Sequence, residues 1–181
     1  MQAATYILTE AGWAGLTTNA IAARAGVNIG SLYQFFPNKE AVIAELQRRH
    51  AVAIHEELRQ TLAGLPEHPS LTEVLTVLVE MLIIEHRAAP ALHKAITEEL
   101  PSTLRWLPEE KQALQRQVLA SLQPFMGNVP DPELAIFLMS VAAEGAIHKV
   151  TAQRPELLHS PQLVAELVTL FEPYLCRPAG R

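Results

Sequence analysis

Apolar residues recur along almost the whole chain at the spacing of one helix face. In the first helix the stripe consists of Ala4, Ile7, Leu8 and Ala11. Comparable stripes cover about residues 38–62, 71–84, 90–100 and 108–126, and two more helices follow. No stretch alternates between apolar and polar residues as a half-buried strand does. The pattern therefore predicts an all-α protein.

Residues 17–36 read as two short helices separated by a tight turn. Thr17 or Thr18 is suited to cap the first helix and Asn28 the second, because their side-chain oxygens accept from the free amides of a helix start. Gly26 is suited to end the first helix, since glycine readily takes positive φ. Two helices joined in this way form a helix-turn-helix, whose second helix fits the DNA major groove.

The residue types in and around this stretch have a distinctive spacing. The positions concerned are Gly12, Leu16, Thr17, Ile21, Ala22, Ala25, Gly26, Val27, Gly30, Leu32, Tyr33, Phe36, Lys39 and Glu40. They resemble the signature of the TetR family of bacterial transcription regulators, over roughly residues 2 to 50. The resemblance implies a three-helix, helix-turn-helix DNA-binding domain over residues 1–47. It also implies a C-terminal helical ligand-binding and dimerisation domain over residues 48–181.

The second helix of the motif divides into two faces. Leu32 and Phe36 are expected to point inward, together with Ile21 and Val27. The remaining residues face outward and are candidates for DNA contact: Asn28, Ile29, Ser31, Tyr33, Gln34 and Phe35.

These outward side chains differ in what they can contact. Gln34 can pair with adenine, Ser31 can bond to either kind of base edge, and Ile29 suits a thymine methyl group. Contacts to phosphates, which position a protein without reading the sequence, are assigned to Thr17, Thr18, Tyr33 and Lys39. Two alternatives stay open: Tyr33 can pack on Lys39, and Phe35 can pack internally or touch a sugar.

Charge is distributed unevenly along the chain. Residues 1–50 carry four Lys or Arg against three Glu, a net charge of +1, whereas the whole chain carries −5 and the remainder −6. An acidic protein is not drawn to DNA by bulk attraction, so affinity must come from a local face. Arg48 and Arg49 are expected to be surface charges.

Composition indicates a cytoplasmic globular protein. Of the 181 residues, 49% are hydrophobic and 18% charged, which suits a well-cored chain. The single cysteine, Cys176, excludes a disulfide framework within the monomer and fits a reducing compartment. No apolar run approaches the roughly 18 residues that span a bilayer. The start at Met1 lacks the basic region of a signal peptide, so no membrane partner is expected.

The last two predicted helices carry more apolar surface than one neighbour can cover. The first begins at Asp131-Pro132 and the second at Ser160-Pro161. The first has one stripe of Leu134, Phe137, Leu138, Val141, Ala142 and Gly145, and another of Ile136, Met139, Ala143, Ile147 and Val150. We expect both helices to pair with their symmetry copies in a homodimer, as in regulators of this kind. The alternative is that both stripes pack inside the monomer.

The family architecture also implies a cavity for a small, largely apolar effector in the C-terminal domain. Candidate lining residues are Met81, Glu85, His86, Trp106, Phe137, Glu144 and His148. The alternative for each apolar member is that it belongs to the core.

No motif indicates catalysis or a cofactor. The seven histidines include no i, i+4 pair of the kind that grips zinc on one helix, so no metal site is predicted. Nucleophile motifs, phosphate loops and dinucleotide fingerprints are missing from the sequence, and the protein is not expected to be an enzyme. Two other classes stay open: a helical enzyme, and a protein-interaction module with a degenerate helix-turn-helix.

These observations predict a sequence-specific DNA-binding transcriptional regulator. Its homodimer is expected to bind a palindromic operator with half-sites roughly 34–36 Å apart, and a small molecule is expected to release it. Repression is favoured over activation because a bound dimer can block polymerase.

Overall fold

The structure is a computed structural model that describes residues 1–88 and 108–177, without the side chains of residues 108–111. Within these ranges it contains α-helices, short 3₁₀ helices and no β-strand, which confirms the all-α class. The α-helices are α1 Gln2–Gly15, α2 Thr18–Ala25, α3 Ile29–Phe35, α4 Lys39–Ala63, α5 Leu71–Ala88, α6 Pro108–Leu122, α7 Pro132–Gln153 and α8 Pro161–Leu175. The helix predicted over residues 90–100 lies outside the described residues.

The described chain divides into two compact units. The first contains Met1–Ala53, and the second contains Ile54–Ala88 and residues 112–177. Helix α4 contributes residues to both. The domain boundary predicted after residue 47 falls inside the same helix, and it stays a prediction.

A small apolar core holds the first unit together. Helix α1 contributes Ala4, Ile7 and Leu8, and α4 contributes Val42, Ile43 and Leu46, all buried. Leu16 and Ile21 complete the buried cluster, and Leu32 and Phe36 pack against it from the region of α3. Short helices gain most of their stability from such packing rather than from intrinsic propensity. The core therefore fixes how α2 and α3 are presented.

Gly12 breaks α1 near its end. Its φ of 62° and ψ of −167° lie outside the helical region, in a conformation that is essentially restricted to glycine. The helix thus has a kink at Gly12, after which the Leu16 amide donates to the Trp13 carbonyl at 3.3 Å. The kink brings Leu16 into the core as a fully buried side chain.

Helix α7 contributes five buried side chains to the core of the second unit. Its Ala135, Ile136, Met139, Ala143 and Ile147 are buried. They pack in one cluster with residues of α5, such as Leu75 and Ile83, and of α8, such as Phe171. The other stripe stays exposed on the single chain and consists of Leu134, Phe137, Leu138, Val141, Ala142 and Gly145. One apolar face therefore serves the core, and the other is not covered by it.

Among the described residues, α7 is the one helix long and apolar enough to cross a membrane, judged by length and composition alone. This differs from the expectation based on uninterrupted apolar runs, because the helix is apolar on both faces. The core helix of a soluble protein meets the same criterion, so the evidence for a span is weak.

Two short 3₁₀ helices modify the predicted boundaries. The helix expected to reach Met126 ends as α6 at Leu122, and Gln123–Phe125 continues as a 3₁₀ turn containing Pro124. Proline has no amide hydrogen to continue the α-helical bonding, which explains the early end. The segment Pro155–His159, for which no helix was predicted, forms the second 3₁₀ turn.

Replacing Gly12 by alanine is expected to lower the free energy of unfolding by about 1–3 kcal/mol, because a Cβ strains this backbone conformation. Gly127→Ala is the control: Gly127 lacks a positive φ and an added Cβ there meets no heavy atom within 4 Å, so little change is expected. Urea unfolding followed by circular dichroism measures both. Equal unfolding midpoints for the two variants would contradict the assignment of strain to Gly12.

Candidate nucleic-acid interface and effector cavity

Helix α2 is fixed at both ends by local hydrogen bonds. The Ala20 amide donates to the Thr17 hydroxyl oxygen at 3.1 Å, so Thr17 and not Thr18 is the N-cap. At the other end Gly26 takes a left-handed conformation, with φ 67° and ψ 30°. There the Val27 amide donates to the Ala22 carbonyl at 3.1 Å, which satisfies a carbonyl that the helix leaves free. The sequence-predicted turn therefore forms as expected at Gly26.

Helix α3 is only seven residues long. The Asn28 side-chain oxygen caps it by accepting from the Gly30 amide at 2.7 Å. No residue of α3 is fully buried, and Leu32 is one of its anchors in the core of the first unit. The rest of the helix is consequently available to a partner.

The outer surface of α3 is polar and aromatic. Asn28, Ser31 and Gln34 are exposed, as are Tyr33 and Phe35, and 76% of the Phe35 surface is accessible. Ile29, predicted to face outward, is half-buried. The candidates for DNA contact are therefore accessible on the surface of the motif, and Ile29 is partly covered.

The prediction for Val27 is wrong. It was expected to point inward, but 46% of its surface is exposed. Val27 follows the left-handed residue Gly26, and the reversal of the chain at that glycine turns it away from the core.

Tyr33 links the two helices of the motif at their surface. Its hydroxyl oxygen lies 3.1 Å from the Thr18 hydroxyl oxygen, and either group can donate. Tyr33 therefore bonds to Thr18, while Lys39, the neighbour considered for it in the sequence analysis, lies over the Trp13 ring. The bond brings two candidates for phosphate contact side by side.

Two cations of this unit lie over aromatic rings that the sequence analysis did not single out. The Lys39 ammonium lies 3.9 Å from the centre of the Trp13 ring and donates to the Trp13 carbonyl at 3.3 Å. The Arg24 guanidinium lies 3.4 Å from the centre of the Tyr6 ring. Such contacts hold a long side chain in one place. They join separate helices, so no local sequence signal predicts them.

Arg48 and Arg49 form ion pairs within α4. Both guanidiniums donate to the Glu45 carboxylate, at 2.8 and 2.6 Å. Their hydrogen bonds lower the pKa of Glu45 to about 2. Both arginines have exposed side chains, in agreement with their interpretation as surface charges.

The second unit contains a cavity between its helices. It holds about 680 Å³ of free space including its mouth, of which about 110 Å³ admits the centre of a water molecule. Three predicted lining residues, Met81, Glu85 and Glu144, do line it. The other lining residues are Ile54, Leu58, Leu75, Leu78, Val79, Leu82, Leu114, Val118, Met139, Ser140, Ala143 and Phe171.

His86 and His148 form a pair between α5 and α7. Their ring centres are 4.8 Å apart, and His86 is buried. The His86 Nδ1 atom lies 2.8 Å from the Leu82 carbonyl oxygen. A carbonyl oxygen can only accept, so Nδ1 carries the proton in this bond. Neither ring is among the residues that line the cavity.

Phe137, also predicted to line the cavity, is not among its lining residues. Phe137 is half exposed on the uncovered stripe of α7. It borders a separate polar hollow with residues such as Arg116 and Glu133. Trp106 lies outside the described residues. Periodicity places Phe137 on an apolar face of α7, but it does not say which face borders the cavity.

Comparison with known proteins agrees with this arrangement. Residues 1–46 match the family described as bacterial regulatory proteins, tetR family, and residues 70–175 match the tetracyclin repressor-like C-terminal domain. Comparison with curated protein sequences gives no significant match.

Solved structures of similar fold include regulators from three bacteria. The fatty acid degradation regulator FadR of Bacillus halodurans has a TM-score of 0.76 at 21% identity, over 94% of this chain and 95% of that one. FadR of Bacillus subtilis in complex with stearoyl-CoA has a TM-score of 0.75 at 16% identity, over 96% and 95%. A TetR-family regulator from Streptomyces coelicolor has a TM-score of 0.70 at 22% identity, over 97% and 95%.

At these identities the structural likeness establishes the fold alone. The family matches cover both ends of the described architecture, from the helix-turn-helix to the last helix. The chain belongs to the TetR family of bacterial transcriptional regulators, which are DNA-binding proteins.

Proposed function

We propose that this protein is a cytoplasmic, sequence-specific repressor that binds a palindromic operator as a homodimer and is released by a small, largely apolar effector. The observation that carries the proposal is the exposed outer face of α3. It offers hydrogen-bonding and apolar side chains on a short helix held by a capped turn. Such a helix can enter the major groove.

The exposed residues are proposed to have two roles. Some contact base edges, and others contact phosphates and so position the protein on the DNA. Gln34 and Ser31 are free of the core and have the donors and acceptors that base edges require. The Thr18–Tyr33 pair presents two hydroxyls beside them, suited to a phosphate. Thr17 and Lys39 are proposed to add further phosphate contacts, Lys39 while it stays over Trp13.

One copy of α3 discriminates too weakly between an operator and random DNA. Each good side-chain pair with a base is worth about 1–3 kcal/mol. Specific sites are usually about 4–10 kcal/mol better than random DNA. Two copies bound to a palindrome double the number of base contacts and so bring the preference for the specific site into this range. A dimer is therefore part of the proposed function.

The uncovered stripe of α7 supports that dimer. Leu134, Phe137, Leu138 and Val141 are each about half exposed, and Leu170 of α8 is 63% exposed. A contiguous apolar surface of this kind marks an interaction site in a soluble protein. Ala142 and Gly145, exposed on the same stripe, allow a symmetry-related helix to approach closely. We assign this face, the pairing face, to a second copy of the chain.

The cavity in the second unit is the proposed effector site. Its walls are mostly apolar, and the structure of the Bacillus subtilis relative with stearoyl-CoA supports a ligand-responsive role for the fold. An effector releases DNA only if it binds more tightly to the state that does not fit the operator.

Selection of genomic DNA fragments by the purified protein, at a stated salt concentration, tests the proposal. The expected result is a palindrome whose half-site centres lie about one helical turn apart. Failure to enrich any sequence would contradict it and would favour a protein-interaction module.

Gln34→Ala is expected to weaken binding to the selected operator by about tenfold or more and to relax preference at one base pair per half-site. The reason is the loss of an amide that pairs with a base. Gln162→Ala, an exposed glutamine at the start of α8, serves as the control and should bind normally. Fluorescence anisotropy on operator and scrambled DNA measures both. Equal losses on both DNAs would contradict a reading role for Gln34.

Val141→Glu is expected to convert the dimer to monomers, because it buries a charge in the pairing face. Val52→Glu is a matched control, since Val52 is 50% exposed and Val141 52%. Analytical ultracentrifugation at micromolar concentration distinguishes the two species. A Val141→Glu variant that sediments as a dimer would show that the pairing face is wrongly assigned.

A further inference from the structure

The cations of helix α4 in the first unit are held in two different ways. Arg48 and Arg49 are paired with the Glu45 carboxylate of their own helix. Lys39, the first residue of α4, lies over the ring of Trp13 and forms no ion pair with a described residue. A ring attracts a cation through its quadrupole and carries no net charge, so it does not cancel the charge of the lysine. That charge is therefore still available to an anion.

Trp13 contacts the Lys39 ammonium group twice. The ammonium lies 3.9 Å from the centre of the indole ring, well within the roughly 6 Å of a cation–π contact. It also donates to the Trp13 carbonyl oxygen at 3.3 Å. Both side chains are half-buried, and a cation–π contact is stronger where water is partly excluded. An ammonium has three N–H donors, so the ring and the carbonyl leave one for a further partner.

The position of Trp13 in the last turn of α1 explains why its carbonyl can accept from a side chain. Trp13 follows the kink at Gly12. The last four carbonyls of a helix have no α-helical partner within it. The Trp13 carbonyl accepts from the Leu16 amide at 3.3 Å, and its second lone pair accepts from Lys39. The ring and the carbonyl of one residue are thus directed at the same ammonium.

The contact lies close to both helices of the helix-turn-helix. Lys39 follows Phe36, the C-cap of α3, by three residues, and Trp13 precedes Thr17, the N-cap of α2, by four. A fully extended chain spans at most about 3.6 Å per residue. The Cα atom of Lys39 therefore lies within about 11 Å of that of Phe36, and the Cα atom of Trp13 within about 14 Å of that of Thr17. The held ammonium is near the residues proposed to contact phosphates.

We propose that Trp13 is a positioning residue for DNA binding, which holds the Lys39 ammonium ready for a backbone phosphate through its ring and its carbonyl oxygen. This role rests on the proposed function, in which Lys39 contacts a phosphate. A mobile lysine side chain loses rotamer entropy when it is bound, and one that is already held loses less. Phosphates carry no base identity, so the ring raises the affinity for DNA of any sequence.

A double-mutant cycle tests the coupling between Trp13 and Lys39. Trp13→Leu removes the ring and keeps an apolar side chain, and Lys39→Gln removes the charge. Fluorescence anisotropy on a random-sequence duplex, at several salt concentrations, measures the affinity of the wild type, both single variants and the double variant. Trp13→Leu is expected to bind roughly three- to tenfold more weakly than the wild type. The double variant should bind no more weakly than Lys39→Gln, because the ring then has no cation to position.

The salt dependence identifies the partner of Lys39 as a phosphate. Lys39→Gln should reduce the slope of log affinity against log salt concentration by about 1 for each bound subunit. An unchanged slope in this variant would overturn the proposal. So would additive losses of affinity in the double variant, since Trp13 would then act independently of Lys39. An unchanged affinity in Trp13→Leu would overturn it as well.

A graded ring series separates positioning from loss of stability. Trp13→Phe keeps a ring that attracts cations less strongly, so its affinity for DNA should lie between those of the wild type and Trp13→Leu. If Trp13→Leu does not fold, the cycle is measured with Trp13→Phe, and additivity there overturns the role. Tyr6→Leu is the matched control, because it removes the ring under another cation, Arg24, from the same helix. Its effect on affinity should be additive with Lys39→Gln, and a coupling as large as that of Trp13 would contradict a specific role for Trp13.

Operator binding measured on the same variants separates this role from the proposed function. Coupling on random DNA without enrichment of any operator would overturn sequence-specific binding and leave the role of Trp13 standing. Operator binding with additive effects of Trp13 and Lys39 would overturn the positioning role alone. A protein that binds neither DNA would overturn both.

Discussion

The structure depends first on the packing that holds a helix too short to stand alone. Isolated helices below roughly 12–15 residues are marginal in water, and α3 has seven residues. Two side chains, Leu32 and Phe36, fix it to the core of the first unit, and the Asn28 cap satisfies its start. Because so little of α3 is needed for the core, most of its surface is left for a partner. Helix α3 has little intrinsic stability, and it is stabilised by the core that the apolar faces of α1 and α4 form.

Helix α7 carries residues of both the proposed effector site and the proposed pairing face. Met139, Ala143 and Glu144 on it border the cavity, and Phe137 and Val141 on it belong to the pairing face. A packed helix moves as a unit, since interiors are dense and transmit small shifts. A ligand that displaces the cavity side of α7 therefore also shifts the pairing face. In this way the proposed effector could change the geometry of the proposed dimer directly, without a chain of intermediate residues.

Local signals in the sequence were enough where the structure is locally determined. The caps at Asn28 and Asp131 form as predicted, and Thr17 is the one of the two candidate threonines that caps α2. Each cap involves a side chain and an amide two or three residues away. The same holds for the turn at Gly26. Val27 was misplaced because its direction follows from the path of the chain after that turn. Contacts such as Lys39 over Trp13 could not be predicted, since they join residues 26 positions apart.

By itself the sequence determined the helical class, the helix-turn-helix and the family, because periodicity, caps and turn residues act over one or two turns of chain. It also indicated that the helix after Asp131 has two apolar faces. Only the tertiary structure decided which face is buried, and it placed Phe137 on the uncovered side and Glu144 beside the cavity. Packing makes that choice, since neighbouring helices compete for each face and their competition depends on residues far apart in the chain.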